Sequence, residues 1–214
     1  MVVEHLGKEI KGKEILKDIN CTFESGRIYG IVGRNGSGKT MLLRAISGLM
    51  RCQAGAVYLD GKRLGRDMKI LPNVGLMIEN TEMYPEFTGY RNLKMLADIQ
   101  GKIGKEEIKA AIKRVGLDGQ EKKIVKKYSM GMRQKLAIAQ AIMEKPDILL
   151  LDEPTNGLDE VSVKMFRDIM QEEKARGVLI LLASHNKEDI LQLSDEVFQM
   201  AEGEMRKEEV SYEI

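Results

Sequence analysis

One stretch of the sequence, residues 33–40, reads Gly-Arg-Asn-Gly-Ser-Gly-Lys-Thr and decides the fold of the chain. It fits the pattern G-x-x-x-x-G-K-[ST], whose glycines let backbone amides approach phosphate groups. Residues 27–32 before it are predicted to form an apolar strand, and a helix is predicted to start at Gly38 or Lys39 and to stop at Gly48. Because strand, loop and helix follow in the required order, we prefer a phosphate-binding loop to a chance match in a glycine-rich turn.

The chemistry of this loop predicts ATP and Mg²⁺ as its ligands. The Lys39 ammonium group is expected to hold the β- and γ-phosphates, and the Thr40 hydroxyl is expected to bind Mg²⁺. The helix that begins here adds the positive end of its dipole. The predicted ATP-binding residues are Gly33, Arg34, Asn35, Gly36, Ser37, Gly38, Lys39, Thr40 and Met41.

A second motif supplies the acidic groups that such a loop needs. Residues 148–151 are wholly apolar and predict a parallel strand buried on both faces, which Asp152 and Glu153 follow directly. Asp152 is expected beside the Mg²⁺, at the end of the strand. Glu153 is expected to face the γ-phosphate and to polarise a water; an acid at the start of the next helix is the alternative. Because the chain also has a phosphate loop, we prefer the catalytic interpretation of Glu153 to that of an acid at the start of a helix.

The remaining patterns predict an α/β core interrupted by helices. Strands are predicted at residues 15–23, 27–32, 56–59, 74–78, 148–151 and 178–183, and Asp60-Gly61 predicts a hairpin turn after the third. Helices are predicted around Leu93, Ile108 and residues 131–143, and again at 160–175. The middle helices form an insertion at about residues 80–140.

The composition excludes several classes of protein. The chain is 43% hydrophobic and 31% charged, and its formal net charge of +1 directs it neither to nucleic acid nor to anionic lipid. With no Trp and 5% aromatic residues, a base-stacking surface and a nucleic-acid partner are not expected. Cys21 and Cys52 lack metal-like spacing and are expected to be reduced thiols of a cytosolic protein. The N-terminus does not resemble a signal peptide, and no apolar run approaches the ~20 residues that span a bilayer.

Further motifs follow the phosphate loop in a fixed order: Tyr-Ser-Met-Gly-Met at 128–132, Asp-Glu-Pro-Thr-Asn-Gly-Leu-Asp at 152–159, and Ser184-His185. With this set the chain resembles the ATP-binding subunit of ABC transporters over essentially its whole length. The resemblance implies a single ABC ATPase domain at 1–214 with a helical subdomain at about 80–140. It implies an α/β fold: a P-loop NTPase core with a mostly parallel sheet, an N-terminal antiparallel β part, and a helical insertion that carries the signature motif.

Residues 128–132 resemble that signature motif, usually Leu-Ser-Gly-Gly-Gln, which in the family completes the ATP site of the opposite subunit. Met130 replaces a glycine and Met132 replaces the glutamine. A Ser hydroxyl, N–H groups and a helix N-terminus make a second anion cradle, although a simple N-cap at Ser129 is the alternative. The resemblance implies a head-to-tail dimer with two ATP molecules at its interface, expected as a homodimer, with a heterodimer as the alternative. The residues implied to contact the partner's ATP are Tyr128, Ser129, Met130, Gly131 and Met132.

The resemblance also assigns roles to residues that follow the later strands. A lone histidine is more often structural, but His185 lies where the family places its switch histidine, which contacts the γ-phosphate and orients the attacking water. Asp159 matches the D-loop, which contacts the partner subunit. The implied catalytic residues are Glu153, His185 and Lys39, and the implied metal ligands are Thr40, Glu79 and Asp152.

Two positions depart from the family's pattern. Glu79 stands where the Q-loop normally has Gln. Its carboxylate can still offer an oxygen to Mg²⁺, and its added charge is expected to make the site more dependent on the ion. A solvated loop acid is the alternative. The family often has an aromatic adenine platform about six positions before Leu16, and that position here is near Ile10. Adenine stacking is therefore expected to be aliphatic or weak.

The sequence is similar to one branch in particular, the bacterial exporters of the bacitracin-resistance and lantibiotic-immunity type. This implies a subunit that binds and hydrolyses ATP, drives a separate integral membrane permease, and exports a peptide antibiotic or other toxic compound. It would lie at the cytoplasmic face of the bacterial cell membrane, attached through the permease. The predicted permease contact is at about residues 79–92, which joint exposure of Met83, Tyr84 and Phe87 would favour.

Two other functions remain as alternatives to the transporter subunit. The first is a soluble ABC ATPase that acts on a non-membrane partner, although the chain has neither a second ATPase half nor a long coiled coil. The second is a nucleotide-sensing module with almost no turnover. Four intact residues argue against that second alternative: Lys39, Asp152, Glu153 and His185.

Overall fold

The computed structural model of this chain describes residues 1–78, 83–120 and 122–208, apart from the side chain of Asp189. These residues form two sheets with helices packed between and outside them. The strands are β1 Val2–Ile10, β2 Lys13–Thr22, β3 Ile28–Val32, β4 Ala54–Leu59, β5 Lys62–Arg63, β6 Val74–Met77, β7 Ile148–Asp152, β8 Leu179–Ser184, β9 Glu196–Ala201 and β10 Glu204–Lys207. The helices are α1 Lys39–Ser47, α2 Gly89–Gln100, α3 Lys105–Arg114, α4 Met130–Ile142, α5 Glu160–Ala175 and α6 Lys187–Leu193, and Val125–Lys127 forms a turn of 3₁₀ helix.

The central sheet has the strand order β10-β9-β3-β8-β7-β6, and its neighbouring strands are parallel except for β9 with β10. Strands β3, β7 and β8 are buried on both faces, which is why they read as continuous apolar runs. In β7, Ile148 and Leu150 pack into the core on one face, whereas Leu149 and Leu151 pack into the core on the other. The predicted P-loop NTPase core with a mostly parallel sheet is confirmed.

The second sheet is antiparallel, with the order β2-β1-β4-β5, and it shares a core with α1 and the central sheet. Leu42, Leu43 and Ile46 of α1 are completely buried in this core. β4 and β5 are joined by the predicted hairpin turn, in which Asp60 and Gly61 have φ of 51° and 76°. The predicted N-terminal antiparallel part is therefore confirmed.

Helices α2, α3 and α4 lie between β6 and β7 in sequence, where the helical insertion was expected. Glycines separate them as predicted, since Gly101 in the left-handed conformation is the C-cap of α2 and Gly104 is the N-cap of α3. α4 packs directly on β6: a Cβ added at Gly75 would lie 2.1 Å from the Ala141 carbonyl oxygen. Only glycine permits this approach, which fixes α4 to the edge of the central sheet. Within the described ranges, none of the helices has the length and apolar character needed to cross a membrane.

The sequence patterns did not predict β1, α6, β9 or β10. The register of β1 against β2 shifts repeatedly, so the apolar residues of β1 do not alternate regularly. α6 has only 7 residues, too few to show a helical period. In the β9–β10 hairpin, the buried residues Val197, Phe198 and Met200 are interrupted by exposed ones.

Both cysteines are free thiols, as expected. Burial raises the pKa of the Cys21 thiol to about 12 and also raises the pKa of the Cys52 thiol. Both therefore stay protonated at neutral pH, and neither is a reactive nucleophile.

An ion network joins the helical insertion to α5 and to the start of β7. Glu173 of α5 is buried, and its carboxylate accepts from Arg114 Nη1 at 2.7 Å and from Arg176 Nη2 at 2.6 Å. Arg176 Nη2 also donates to the Pro146 carbonyl at 2.6 Å. The neighbouring carboxylate of Glu172 is exposed and pairs with Arg114 Nη2 at 2.7 Å. Since Arg114 ends α3, this network links two parts of the chain that the motifs alone do not connect.

We expect Glu173→Ala to lower the free energy of unfolding by about 3 kcal/mol, since two guanidinium groups would lose a buried partner. This value is at the lower end of the range for breaking a buried ion pair, because both arginine side chains are about one-third exposed. The control Glu172→Ala should cost at most about 1 kcal/mol, because its ion pair is exposed. Urea unfolding followed by circular dichroism measures both. Equal midpoints for the two variants would contradict the role given to Glu173.

Candidate functional site

Three loops meet at the carboxyl edge of the central sheet. β3 pairs with β8 and β8 pairs with β7, so the residues that follow these parallel strands are neighbours. Gly33 follows β3, Glu153 follows β7 and His185 follows β8. Backbone hydrogen bonds connect them: the Gly33 N–H donates to the Ser184 carbonyl at 3.3 Å, and the Glu153 N–H donates to the Ala183 carbonyl at 2.8 Å. The structure thus brings the phosphate loop and the two residues after β7 and β8 into one site.

The phosphate loop is built around its glycines. A Cβ at Gly33 would lie 2.3 Å from the Met200 carbonyl oxygen, so only glycine lets the loop pass β9 so closely. Gly38 is the N-cap of α1 and has φ of 112°, a conformation that favours glycine. Residues 34–36 on the outer side of the loop are exposed, and an anion placed there would face the positive end of the α1 dipole.

The Lys39 side chain lies folded against the loop. Its ammonium group donates to the Gly33 carbonyl at 2.7 Å and to the Arg34 carbonyl at 3.3 Å, and the residue is buried. The same Nζ lies 3.8 Å from Glu153 Oε1. A buried ammonium group needs such oxygen partners. Phosphate oxygens that enter the loop would compete for these same N–H groups.

Thr40 and Asp152 form the candidate metal site. The Thr40 hydroxyl donates to Asp152 Oδ2 at 2.5 Å, and Asp152 is buried at the end of β7. Two hard oxygen donors beside a phosphate loop fit Mg²⁺, which completes its shell with waters and phosphate oxygens. In the described part of the chain, no group of three or more His, Cys, Asp or Glu side chains could hold a metal ion. Glu79, the other predicted ligand, lies outside the described residues.

Glu153 is held by the loop that follows β8. Its Oε2 accepts from the Ser184 hydroxyl at 2.9 Å and lies 2.9 Å from His185 Nδ1. Its Oε1 accepts from the His185 backbone N–H at 2.9 Å. The backbone of Glu153 has φ of 49°, which a non-glycine residue keeps only where its surroundings enforce it. A fixed carboxylate with a histidine beside it is suited to orient a water toward a phosphate in the loop.

An open cleft of ≈ 840 Å³ lies beside the phosphate loop. Its walls are residues 12–15 and 17, the loop residues 34–37, and residues 199–203 of the β9–β10 turn. The turn is fixed to the loop because the Gly203 N–H donates to the Ser37 carbonyl at 3.0 Å. The cleft is therefore the place where the rest of a nucleotide can extend from phosphates bound in the loop.

The walls of this cleft contain no aromatic side chain among the described residues. Ile10, the expected platform position, ends β1 opposite Lys13 in the β1–β2 hairpin. Lys13, Ile15 and Glu202 line the cleft instead. A base in the cleft would contact aliphatic and charged groups, which fits the expectation of weak stacking.

The signature segment does not line this cleft. Ser129 is the N-cap of α4, and its Oγ accepts from the Met132 N–H at 3.2 Å, so the capping role is present. Tyr128 is buried in the helical core, whereas Met130 is exposed. Residues 129–132 thus form a helix start at which Ser129 and Met130 are exposed, and none of the four residues lines this cleft.

Asp159 is exposed at the N-cap of α5. Its Oδ1 accepts from the Ser162 N–H at 2.9 Å, and the hydrogen bonds from Ser162 lower the pKa of the Asp159 carboxyl. A second cleft of ≈ 560 Å³ runs beside this segment, and its walls include Glu153, Leu158 and His185. The D-loop region and the catalytic candidates therefore border a common space.

The surface predicted to contact a permease is only partly exposed. Tyr84 is 60% exposed, but Phe87 is half-buried, with the Arg91 Cζ 3.8 Å from its ring centroid. Met83 packs against the helical core. The joint exposure that would favour the contact is therefore not observed, and residues 79–82 lie outside the described residues.

The motifs did not predict Gln134, although its side chain contacts the site. Gln134 lies in α4, and its Nε2 donates to the carbonyls of Glu153 and Pro154 at 2.7 and 3.0 Å. Its signal in the sequence is a polar amide just before a helical segment that is apolar over a wide arc. The local sequence pattern does not indicate which backbone carbonyls the Gln134 side chain binds.

A phosphate loop between a parallel strand and a helix, with carboxylates at the end of a nearby strand, defines a P-loop nucleotide-binding ATPase. Residues 16–156 match the family model described as ABC transporter, which covers more than half of the chain. The chain therefore belongs to the ABC transporter family. The resemblance drawn from the motifs is confirmed.

Relatives from three bacterial species match over nearly the whole chain. An ABC transporter ATP-binding protein of Bacillus subtilis strain 168, YybJ, is 47% identical over 97% of this chain and 95% of its own length. The bacitracin transport ATP-binding protein BcrA of Enterococcus faecalis is 36% identical over 96% of this chain and 67% of its own length. The lantibiotic transport ATP-binding protein SrtF of Streptococcus pyogenes is 30% identical over 95% of this chain and 87% of its own length.

Solved structures share the fold. An ATP-binding subunit of an ABC transporter superposes with a TM-score of 0.86 at 25% identity, covering 98% of this chain and 89% of that one. A bacterial ABC transporter cassette solved as a dimer gives a TM-score of 0.88 at 20% identity and covers 98% of both chains. The fold predicted from the sequence is that of these cassettes.

We expect Lys13→Tyr, which places a ring in the open cleft, to tighten ATP binding by about tenfold, because stacking of a base on an aromatic side chain contributes about 1–3 kcal/mol. Lys62→Tyr is the matched control, since Lys62 is also an exposed strand lysine but lies on β5, outside the cleft. Titration calorimetry of both variants with ATP measures the change. An unchanged dissociation constant in Lys13→Tyr would show that the base lies elsewhere.

Proposed function

We propose that this chain is the ATP-hydrolysing subunit of an exporter and that it drives a separate integral membrane permease. The observation that carries the proposal is the convergence of Lys39, Asp152, Glu153 and His185 on one phosphate loop. The relatives named for bacitracin and lantibiotic transport support a peptide antibiotic or another toxic compound as the cargo.

In this proposal the side chains divide the work of hydrolysis. Lys39 exchanges the carbonyls of Gly33 and Arg34 for the β- and γ-phosphate oxygens. Glu153 orients a water and accepts its proton as the water oxygen bonds to the γ-phosphorus and ADP leaves. His185 positions the γ-phosphate and the Glu153 carboxylate together. Mg²⁺, when bound, neutralises phosphate charge; Thr40 and Asp152 would hold it, with Glu79 as a further ligand.

We propose a head-to-tail dimer of two such subunits. Residues 128–132 of each subunit would complete the ATP site of the other, with Asp159 at the same interface. Two observations support this: the open helix start at Ser129 does not line the chain's own nucleotide cleft, and a cassette with this fold was solved as a dimer. A homodimer is the simplest form, because one chain supplies both half-sites.

We further propose that residues 1–214 act as a single ABC ATPase domain with a helical subdomain at about residues 80–140. The permease would hold it at the cytoplasmic face of the bacterial cell membrane. The transport names of its relatives support this placement, as does the exposure of Tyr84 within the predicted contact at residues 79–92.

The Glu153→Gln variant tests the chemistry of the proposal. We expect turnover to fall about 10²- to 10⁴-fold, because an amide cannot accept the proton of the attacking water. ATP binding should persist, so an ATP-bound dimer should accumulate, which light scattering after size exclusion measures. The control Glu106→Gln, an exposed acid in the first turn of α3, should hydrolyse ATP at the wild-type rate. Undiminished turnover in Glu153→Gln would remove Glu153 from the mechanism.

The transport role has its own test, which is affinity purification of the tagged chain from detergent-solubilised bacterial membranes. We expect an integral membrane protein to co-purify in a fixed ratio to the chain, and its removal from the cell to release the chain from the membrane fraction. Recovery with a ribosomal or other non-membrane partner would instead support the soluble ABC ATPase.

A further inference from the structure

The side chain of Gln134 connects helix α4 to the backbone beneath the catalytic candidate. Its Nε2 donates to the Glu153 carbonyl at 2.7 Å and to the Pro154 carbonyl at 3.0 Å. Both distances are those of ordinary hydrogen bonds, and both acceptors are backbone groups. Gln134 therefore does not contact the Glu153 carboxylate; it fixes the turn on which that carboxylate stands.

The backbone of Glu153 depends on such contacts. Its φ of 49° lies in the left-handed region, which a residue with a Cβ adopts at a cost. Its N–H is fixed from the other side by the Ala183 carbonyl at 2.8 Å. The peptide units before and after its Cα are thus anchored by β8 and by α4. The carboxylate reaches Ser184 and His185 while both anchors hold.

The start of α4 also packs on the segment that follows Glu153. A Cβ at Gly131 would lie 3.0 Å from the Gly157 carbonyl oxygen. The Met130 side chain covers Gly157, where an added Cβ would lie 2.8 Å from its Sδ. Contacts at 130–131 and at Gln134 are one helical turn apart. Contacts from two successive turns of α4 therefore join the start of this helix to residues 153–157.

The same helix start is the open cradle capped by Ser129, which in the proposed dimer faces the ATP of the second subunit. We infer that Gln134 is a positioning residue that couples the two ATP sites: when ATP draws the cradle of one site into place, Gln134 aligns Glu153 in the other. This inference rests on the proposed function, because it requires both the dimer and Glu153 as the base.

The test uses the full-length chain and two substitutions at Gln134. Gln134→Leu removes the amide donor but has a side chain of similar size. Gln134→Glu keeps the shape of the side chain but places a carboxylate oxygen, which cannot donate, against the two carbonyls. Gln140→Leu is the matched control, since Gln140 lies on the same helix but near its other end, beside β6. Steady-state hydrolysis over a range of ATP concentrations gives kcat, KM and the Hill coefficient. ATP-dependent dimerisation is measured separately, in the Glu153→Gln background.

We expect kcat to fall about 10- to 100-fold in both Gln134 variants with KM for ATP unchanged, because the base is misaligned while ATP still binds. The Hill coefficient should fall towards one, since the two sites no longer communicate. Gln134→Leu in the Glu153→Gln background should still dimerise with ATP. That last result separates misalignment of Glu153 from damage to the interface.

Turnover and cooperativity equal to those of Gln140→Leu would overturn the inference and leave the proposed function intact. A raised KM at unchanged kcat, or loss of ATP-dependent dimerisation, would also overturn it, because Gln134 would then act in binding or at the interface. Absence of turnover in the wild-type chain would contradict the proposed function instead.

Discussion

The parallel pairing of β3, β8 and β7 is the constraint on which the whole site depends. These strands are buried on both faces, so their positions are fixed by packing and by backbone hydrogen bonds together. Their carboxyl ends are therefore rigid points from which three loops start. Thr40 and Asp152 are 112 residues apart in sequence, yet their side chains share a hydrogen bond because of this pairing. The antiparallel sheet and the helices stabilise that arrangement by covering its two faces.

The sequence predicts what is encoded locally and misses what depends on distant contacts. The apolar runs at β7 and β8, the glycine stops after α1 and α2, and the Asp60-Gly61 turn are local signals, and each was predicted correctly. The residues of the phosphate loop and the acids after β7 follow from motif spacing. The β9–β10 turn beside the loop and the reach of Gln134 to Glu153 follow from tertiary packing, which no window of sequence displays.

The charges of the site are compensated inside the chain. Lys39 is buried and would be costly without partners, and the Gly33 carbonyl and the Glu153 carboxylate provide them. The Glu153 carboxylate in turn accepts from Ser184 and from His185. A triphosphate offers Lys39 stronger, charged acceptors than a carbonyl. In the proposed function, a bound nucleotide would therefore exchange partners around Lys39 without leaving a buried charge uncompensated.

Helix α4 is fixed to the core near both of its ends. Near its C-terminal end, Gly75 of β6 admits the Ala141 carbonyl at a distance that excludes any side chain. At its N-terminal end, Gln134 and the contact of Gly131 with Gly157 attach it to the turn after β7. The packed interior resists local deformation. A helix that is attached to the packed core near both ends therefore moves as a rigid body when one of its ends is displaced. An event at the open N-terminus of α4 therefore acts on the turn that carries Glu153, without a flexible element between them.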